Sequence, residues 1–169
     1  MSGKSWVMAD PHFGHANMMV FEPPRPFANV EEMDSALIKN WNELVAPDDR
    51  VYLMGDVAMT KRGFLGAVPH LKGRIVLVRG NHDNEKLSFY SQWFDDIRAC
   101  VPKKGFILTH IPIHEQSLAR WSLNIHGHLH SNVVKLPDGK PDPRYVCVSA
   151  EQIDYRPKLL STVLQENGL

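Results

Sequence analysis

Short apolar runs alternate with amphipathic stretches along this chain, and similar polar residues end many of the runs. Residues 6–9, Trp6-Val7-Met8-Ala9, read as a buried strand; Asp10-Pro11 closes it, because proline disfavours helix at the residue before it. Residues 11–28 hold four prolines and little periodicity, which predicts a long loop of the functional kind. Asn29 with Glu32 three residues on is a capping signal. Met33, Leu37, Trp41 and Leu44 then recur at helical spacing until Pro47. Residues 51–54 are the next strand, 61–71 a weaker helix with two glycines, and 74–78 the clearest buried strand. A helix follows from 84 to about 93. Strands are expected at 97–101 and 106–109, joined by a hairpin around Pro102-Lys103-Lys104-Gly105, and again at 123–126, 133–136 and 145–148. Residues 137–143 are turn-rich. Helices early and short strands late predict an α/β sandwich with mixed sheets.

Composition narrows this picture without redirecting it. A chain of 169 residues, 43% hydrophobic and 22% charged, has the make-up of one ordinary globular domain spanning 1–169. It is large enough to build a core without disulfides. Cys100 and Cys147 lack metal-type spacing and are expected to be free thiols of a reducing compartment. The formal net charge is zero, so no global basic field favours nucleic acid or an anionic membrane. The apolar run before Asp10 is shorter than a signal-peptide core, and no stretch has the length of a membrane helix. The expectation is a soluble cytoplasmic protein.

Chemistry enters through the residues at the ends of the runs. They are Asp10-Pro-His12, Gly55-Asp56, Gly80-Asn81-His82-Asp83, His110, and Gly127-His128-Leu129-His130. Carboxylate, amide oxygen and imidazole together are the ligand mixture of medium-hard divalent metals. Asp10, Asp56, Asn81 and His110 each follow a strand-like run, and α/β sheets bind ligands beyond the carboxyl ends of their strands. Asp10 and His12, and likewise His128 and His130, lie at i and i+2, so an extended backbone points each pair to one face. Two metals about 3.5–4 Å apart need a ligand touching both, and the two-oxygen Asp56 is the natural bridge. Asn81 adds an oxygen without adding charge. His82 is left to donate a proton, with Asp83 placed to orient it.

These five blocks, in order over residues 10–130, resemble the signature of the calcineurin-like metallophosphoesterase superfamily. The longer opening through His15, Asn17 and Met19, with Arg25-Pro-Phe27 and Asp154-Tyr155-Arg156-Pro157, is similar to the small single-domain phosphoesterases of bacteria and their phages. The resemblance implies a four-layer α/β/β/α sandwich with two mixed β-sheets and no cap domain. It also implies one metal on Asp10, His12, Asp56 and His130, and a second on Asp56, Asn81, His110 and His128. A hydroxide bridging the metals would attack phosphorus in line, with His82 protonating the leaving oxygen or holding the phosphate and Asp83 behind it. Mn is the expected metal, with Fe, Zn, Ni and Co as alternatives.

Other histidines have weaker claims. His15 and His114 lie three and four residues from ligand-type histidines, and a substrate-side role for either stands beside plain packing. His126 flanks the last block, and His70 reads as a helix-end residue. For the substrate phosphate, Arg25 and Arg120 are the basic candidates. The favoured reading is a phosphodiesterase acting on a small phosphorylated substrate, such as a cyclic nucleotide. A phosphomonoesterase or protein phosphatase with the same metals, and a non-catalytic scaffold on this fold, are the other two.

Overall fold

The computed structural model describes residues 3–169. Among them, nine strands form two mixed sheets. In the first, β1 (Ser5–Met8), β2 (Arg50–Leu53), β3 (Arg74–Val78) and β4 (Asp96–Arg98) run parallel, and β9 (Lys158–Leu159) pairs antiparallel with β1, giving the order β4-β3-β2-β1-β9. The second has the order β5-β6-β7-β8: β5 (Cys100–Pro102) is antiparallel to β6 (Phe106–Thr109), while β6, β7 (Leu123–His126) and β8 (Tyr145–Cys147) are parallel.

Strands β1 to β3 read as continuous apolar runs because both faces of their sheet are covered. On one face, Trp6, Met8, Leu53 and Leu77 pack with Met33, Leu37 and Trp41 of α1 (Val30–Leu44) and Phe64 of α2 (Lys61–Ala67). On the other, Val7, Tyr52, Met54, Val76 and Val78 meet Phe106, Leu108, Leu123 and Ile125 of the second sheet. Helix α1 starts as its sequence predicts: Asn29 Oδ1 accepts from Glu32 N at 2.8 Å, and Glu32 reaches back to Ala28 N at 2.7 Å. The segment 111–120 lies over the outer face of the second sheet, held by Ile113 N on Asn124 Oδ1 (2.9 Å) and by the Tyr145 hydroxyl on Ile113 O (2.8 Å). The layers therefore follow the expected helix–sheet–sheet–helix order, with the last layer thinned to a 3-10 turn, Glu115–Arg120.

Several elements differ from the patterning. Residues 96–102 are two strands rather than one: β4 finishes the first sheet, and after Ala99 the chain enters the second as β5. The helix expected to run from 84 to 93 is limited to α3 (Leu87–Tyr90), followed by a turn. Residues 133–136 form no strand; Lys135 bridges Pro141 across the turn-rich loop. Strand β9 and α4 (Leu160–Glu166) were not predicted, although Leu160 and Val163 of α4 complete the core between the sheets. Both cysteines are free thiols. Among the described residues, no helix is long and apolar enough to cross a membrane.

Candidate metal centre

The polar blocks converge because their strands are parallel and the two sheets meet at one end. Asp10 and His12 follow β1, Asp56 follows β2, Asn81 and His82 follow β3, His110 follows β6, and His128 and His130 follow β7. Ala9 N bonds Val148 O (2.9 Å) and Ala150 N bonds Ala9 O (3.0 Å), tying β1 to the segment after β8. The loops are then locked to each other, with Asp10 N on Gly55 O and His12 N on Asp56 O, both at 3.1 Å.

The backbone at these positions is not the extended one expected from i, i+2 spacing. Asp10 (φ 55°), His12 (53°), Asp56 (50°), His128 (69°) and His130 (52°) all adopt the left-handed conformation. The alternation argument fails there because each residue lies past its strand, where the chain curls to bring its side chain inward. A non-glycine residue held this way costs on the order of 1–3 kcal/mol and persists only where the surroundings enforce it. Two glycines let the loops approach. A Cβ on Gly80 would run into Asp56 N and Oδ1, and one on Gly127 would sit 2.5 Å from both Ala9 Cβ and Asp10 Oδ2.

Two groups of donor atoms result. Asp10, His12 and His130 form one; Asp56, His110 and His128 form the other. Within each group the donor atoms lie within 4.8 Å of one another. Asp56 stands between them: Oδ2 is 3.7 Å from His12 Nε2 and Oδ1 is 3.4 Å from His110 Nε2. Asn81 Oδ1 joins the second group, 2.8 Å from His110 Nε2.

The donor set fits cations. His110 Nδ1 faces Met54 O at 2.8 Å, a carbonyl that only accepts, so Nδ1 carries the hydrogen. The bare Nε2 of the neutral ring then meets two further acceptors, Asn81 Oδ1 and Asp56 Oδ1. A positive species, a proton or a metal ion, satisfies that arrangement. With a proton in that role the neighbouring carboxylates lift His110 to about 8 against the effect of burial. Asp56, which burial alone would raise, is held down to about 2 chiefly by His110. In the other group, Asp10 Oδ1 and His12 Nε2 are buried without any hydrogen-bond partner. Burial pushes Asp10 up to about 6 and His12 down to about 3. Unpaired buried donor and acceptor atoms of this kind are costly unless an ion engages them.

A supporting layer fixes these side chains. Ser149 Oγ (2.6 Å) and His128 N (2.8 Å) donate to Asp10 Oδ2, leaving Oδ1 to face inward. Glu151 Oε1 accepts from His130 Nδ1 at 3.0 Å, which fixes the ring and aims Nε2 at the site. Ser149 and Glu151 escaped the sequence reading, yet they follow β8 just as the other blocks follow their strands. The strand-end rule, applied to residues 145–148, would have found them.

Two expected roles are corrected. Arg25 is not available to a phosphate: its guanidinium is buried, donating to Asp10 O (2.6 Å), Pro11 O (2.7 Å), Met33 Sδ (3.5 Å) and Glu151 Oε1 (2.9 Å from Nε). It buttresses the first loop instead. Asp83 does not stand behind His82. Its carboxylate accepts from Asp56 N (3.0 Å), Val57 N (3.0 Å) and Gly80 N (2.8 Å), clamping the loops after β2 and β3 together.

The remaining residues separate cleanly. His82 is half-exposed, with Nε2 4.0 Å from Asp56 Oδ2. With His12, His15, His128 and His130 it lines a cavity of ≈ 470 Å³. His15 packs 5.4 Å from the His12 ring and edge-on to Phe21. Met18, Phe21, Met59 and Leu129 give the cavity an apolar wall. His114 caps the turn Glu115–Arg120, accepting from Gln116 N, away from this cavity, and Arg120 does not line it either. His126 is buried, its Nδ1 2.8 Å from Gly127 O and its ring against Tyr145. His70 ends the 3-10 turn Val68–His70 on the surface.

Relatives match most of this chain. It is 36% identical over 166 residues to an uncharacterized protein of Methanocaldococcus jannaschii, covering 96% of this chain and 90% of the relative. It is 30% identical over 165 residues to the Gene 66 protein of Mycobacterium phage L5, covering 77% and 79%. The crystal structure of a protein of unknown function from Aquifex aeolicus superposes with a TM-score of 0.73 at 25% identity, covering 97% of this chain and 99% of that one. The calcineurin-like phosphoesterase family matches residues 3–157, a span that takes in both donor groups and their supporting carboxylates, and the chain belongs to that family.

Proposed function

We propose that the protein is a dimetal phosphodiesterase, with one divalent metal on Asp10, His12, His130 and Asp56, and a second on Asp56, Asn81, His110 and His128. The observation that carries this is the division of Asp56, whose two oxygens face different donor groups. Bound metals would supply Lewis acidity at the phosphoryl oxygens and a nucleophilic water at neutral pH; Mn is favoured among Mn, Fe, Zn, Ni and Co. The protein's own part is positioning and proton transfer. Hydrolysis forms one P–O bond from water and breaks another. His82 delivers the proton that the departing oxygen needs, from a half-exposed ring at the wall of the cavity. His15 lies beside His12 on the substrate side, where its ring contacts the ester.

The preference for diesters follows from charge and shape. Among the described residues no lysine or arginine lines the cavity, and of its two carboxylates Glu151 is already paired with Arg25 and His130. Beyond the metals, the second charge of a monoester dianion would find no lysine or arginine there, a charge that a diester monoanion does not carry. The wall of Met18, Phe21, Met59 and Leu129 offers the second ester group an apolar seat that a monoester leaves unused.

The test is turnover of bis(p-nitrophenyl) phosphate against p-nitrophenyl phosphate by the Mn-loaded protein, before and after chelation. The expected result is metal-dependent hydrolysis with higher kcat/KM for the diester. Asp56→Asn should lose metal and activity together, and His82→Ala should keep both metals while kcat falls about 10²–10⁴-fold. Faster monoester turnover would replace the diesterase reading, and full activity in His82→Ala would remove its proton-transfer role.

A further inference from the structure

Along the edge strands β4 and β5, and reaching to the starts of β2 and β3, the chain builds a second, differently charged cavity. It holds ≈ 500 Å³ and opens where β4 leaves the first sheet and β5 enters the second. Its floor is the inner face of the first sheet, where Tyr52 and Val76 are buried, and β5 forms the far wall. Its rim carries Arg50, Arg74, Arg98 and Lys103, with Asp95 and Asp96 as the acids. Asp96 is taken by Arg98 at 2.7 Å, and Asp95 lies 3.8 Å from Arg74. Four cations against two carboxylates leave a surplus of two positive charges in one concave space, on a chain whose formal net charge is zero.

The placement of two arginines adds to this. Arg50 and Arg74 open β2 and β3 and are register partners in adjacent parallel strands. Neighbouring strands run about 4.8 Å apart, so like charges occupy adjoining positions, a repulsion that an anion between them would relieve. Each alternates with a buried inward residue, Tyr52 and Val76 respectively, so both face the same side of the sheet as the cavity. Strand length separates the two paired arginines from the metal centre: Asp56 follows the far end of β2, roughly 15–20 Å from Arg50 at about 3.3 Å per residue.

We propose that this groove is a second ligand site, for a small phosphorylated molecule carrying at least two negative charges, such as a nucleoside diphosphate. Paired guanidinium groups give bidentate recognition of phosphate, and Lys103 contributes a point charge from the opposite wall. The volume is that of a small-molecule site, the lining is mostly polar, and Val101 and Pro102 of β5 are the apolar surface left for the uncharged part of the ligand. A single short groove lacks the continuous basic track that a nucleic-acid strand requires. The assignment does not depend on the reaction at the metal centre.

The experiment is titration of the full-length protein with ADP and with inorganic pyrophosphate at fixed ionic strength, read by calorimetry and by backbone amide shifts. Binding of both, with shifts confined to the starts of β2 and β3 and to residues 98–103, is expected. Arg50→Glu and Lys103→Glu should each weaken binding about tenfold or more, Arg50→Lys should weaken it less because it keeps the charge and loses the bidentate geometry, and Asp56→Asn should leave it largely intact. Turnover at the metal centre without added ADP should be unchanged in Arg50→Glu, and an unaltered melting temperature in either charge reversal makes its result decisive. Three outcomes overturn the proposal: no binding at millimolar ligand, shifts restricted to the metal centre and abolished by Asp56→Asn, or tighter and steeply salt-dependent binding of an eight-nucleotide RNA.

Discussion

Replacing Asp83 by Asn isolates the clamp that joins the loops after β2 and β3. The carboxylate is buried and accepts three backbone N–H groups, from Asp56, Val57 and Gly80, at 2.8–3.0 Å. Oδ2 takes Asp56 and Gly80 while Oδ1 takes Val57. An amide has one acceptor oxygen, so either Val57 or the other pair must face an NH₂ group and lose its partner. Hydrogen bonds to a charged acceptor contribute about 1.5–3 kcal/mol each, and a buried donor left unpaired costs about 1–3 kcal/mol. Relief of the carboxylate's own burial penalty, which pushes its pKa upward, returns part of this. The net expectation is a loss of about 2–4 kcal/mol. Because Asp56 N is one of the clamped groups, metal affinity should fall about 10–100-fold as well. Urea denaturation of the chelated protein measures the first, and calorimetric metal titration the second. At metal saturation the pH–rate profile should match wild type, since Asp83 does not touch the His82 ring. Stability within about 0.5 kcal/mol of wild type, or normal metal affinity with a displaced pH profile, would refute the clamp and return Asp83 to a role through His82.

Three further outcomes can be checked on the metal-free protein. Burial holds His126 down to about 4 despite its bond to Gly127 O, so between its ordinary value near 6.5 and 4 the unfolded chain binds a proton that the folded one refuses. Stability is therefore full above about pH 6.5 and declines toward pH 4 by up to about 3 kcal/mol; urea midpoints of wild type and His126→Phe across that window should show a steeper loss in wild type. Gly80→Ala places a methyl group against Asp56 and should cost about 1–3 kcal/mol with weakened metal binding, seen by thermal unfolding and metal titration. Glu151→Ala strands the buried Arg25 guanidinium and should destabilise by about 3–5 kcal/mol, whereas Arg25→Met/Glu151→Met should recover much of that loss in the same denaturation assay.

The sequence made the centre legible because metal chemistry restricts residue type, and strand ends can be read from apolar runs. Asp10, Asp56, Asn81 and His110 were locatable on that basis alone. Roles that depend on where a side chain points were not. Asp83 adjoins His82 in sequence, yet a carboxylate beside three free N–H groups turns to them instead. Arg25 looked free for phosphate because nothing local reveals Glu151, 126 residues away, as its partner. The long strands β1 to β3 were visible because burial on both faces leaves uninterrupted apolar runs. The break after Arg98 was not, since β4 and β5 are consecutive short strands whose separation into two sheets is a tertiary matter. Strand β9 is only two residues long and carries no periodicity.

That shortest strand has a consequence for how the protein is made. β1 leads directly into Asp10 and His12, and its outer edge is covered only by Lys158–Leu159. Trp6 pairs with Leu159, a contact that closes a loop of roughly 150 residues, and pairings of such long range are slow to form. Until it forms, the strand Ser5–Met8 presents an unpaired apolar edge, the template on which chains associate wrongly. Pro157, placed just before β9, cannot extend the ladder and limits how far a foreign strand can substitute for the native one. Lys158–Leu159 thus act as a guard for the edge of the strand that starts the metal centre.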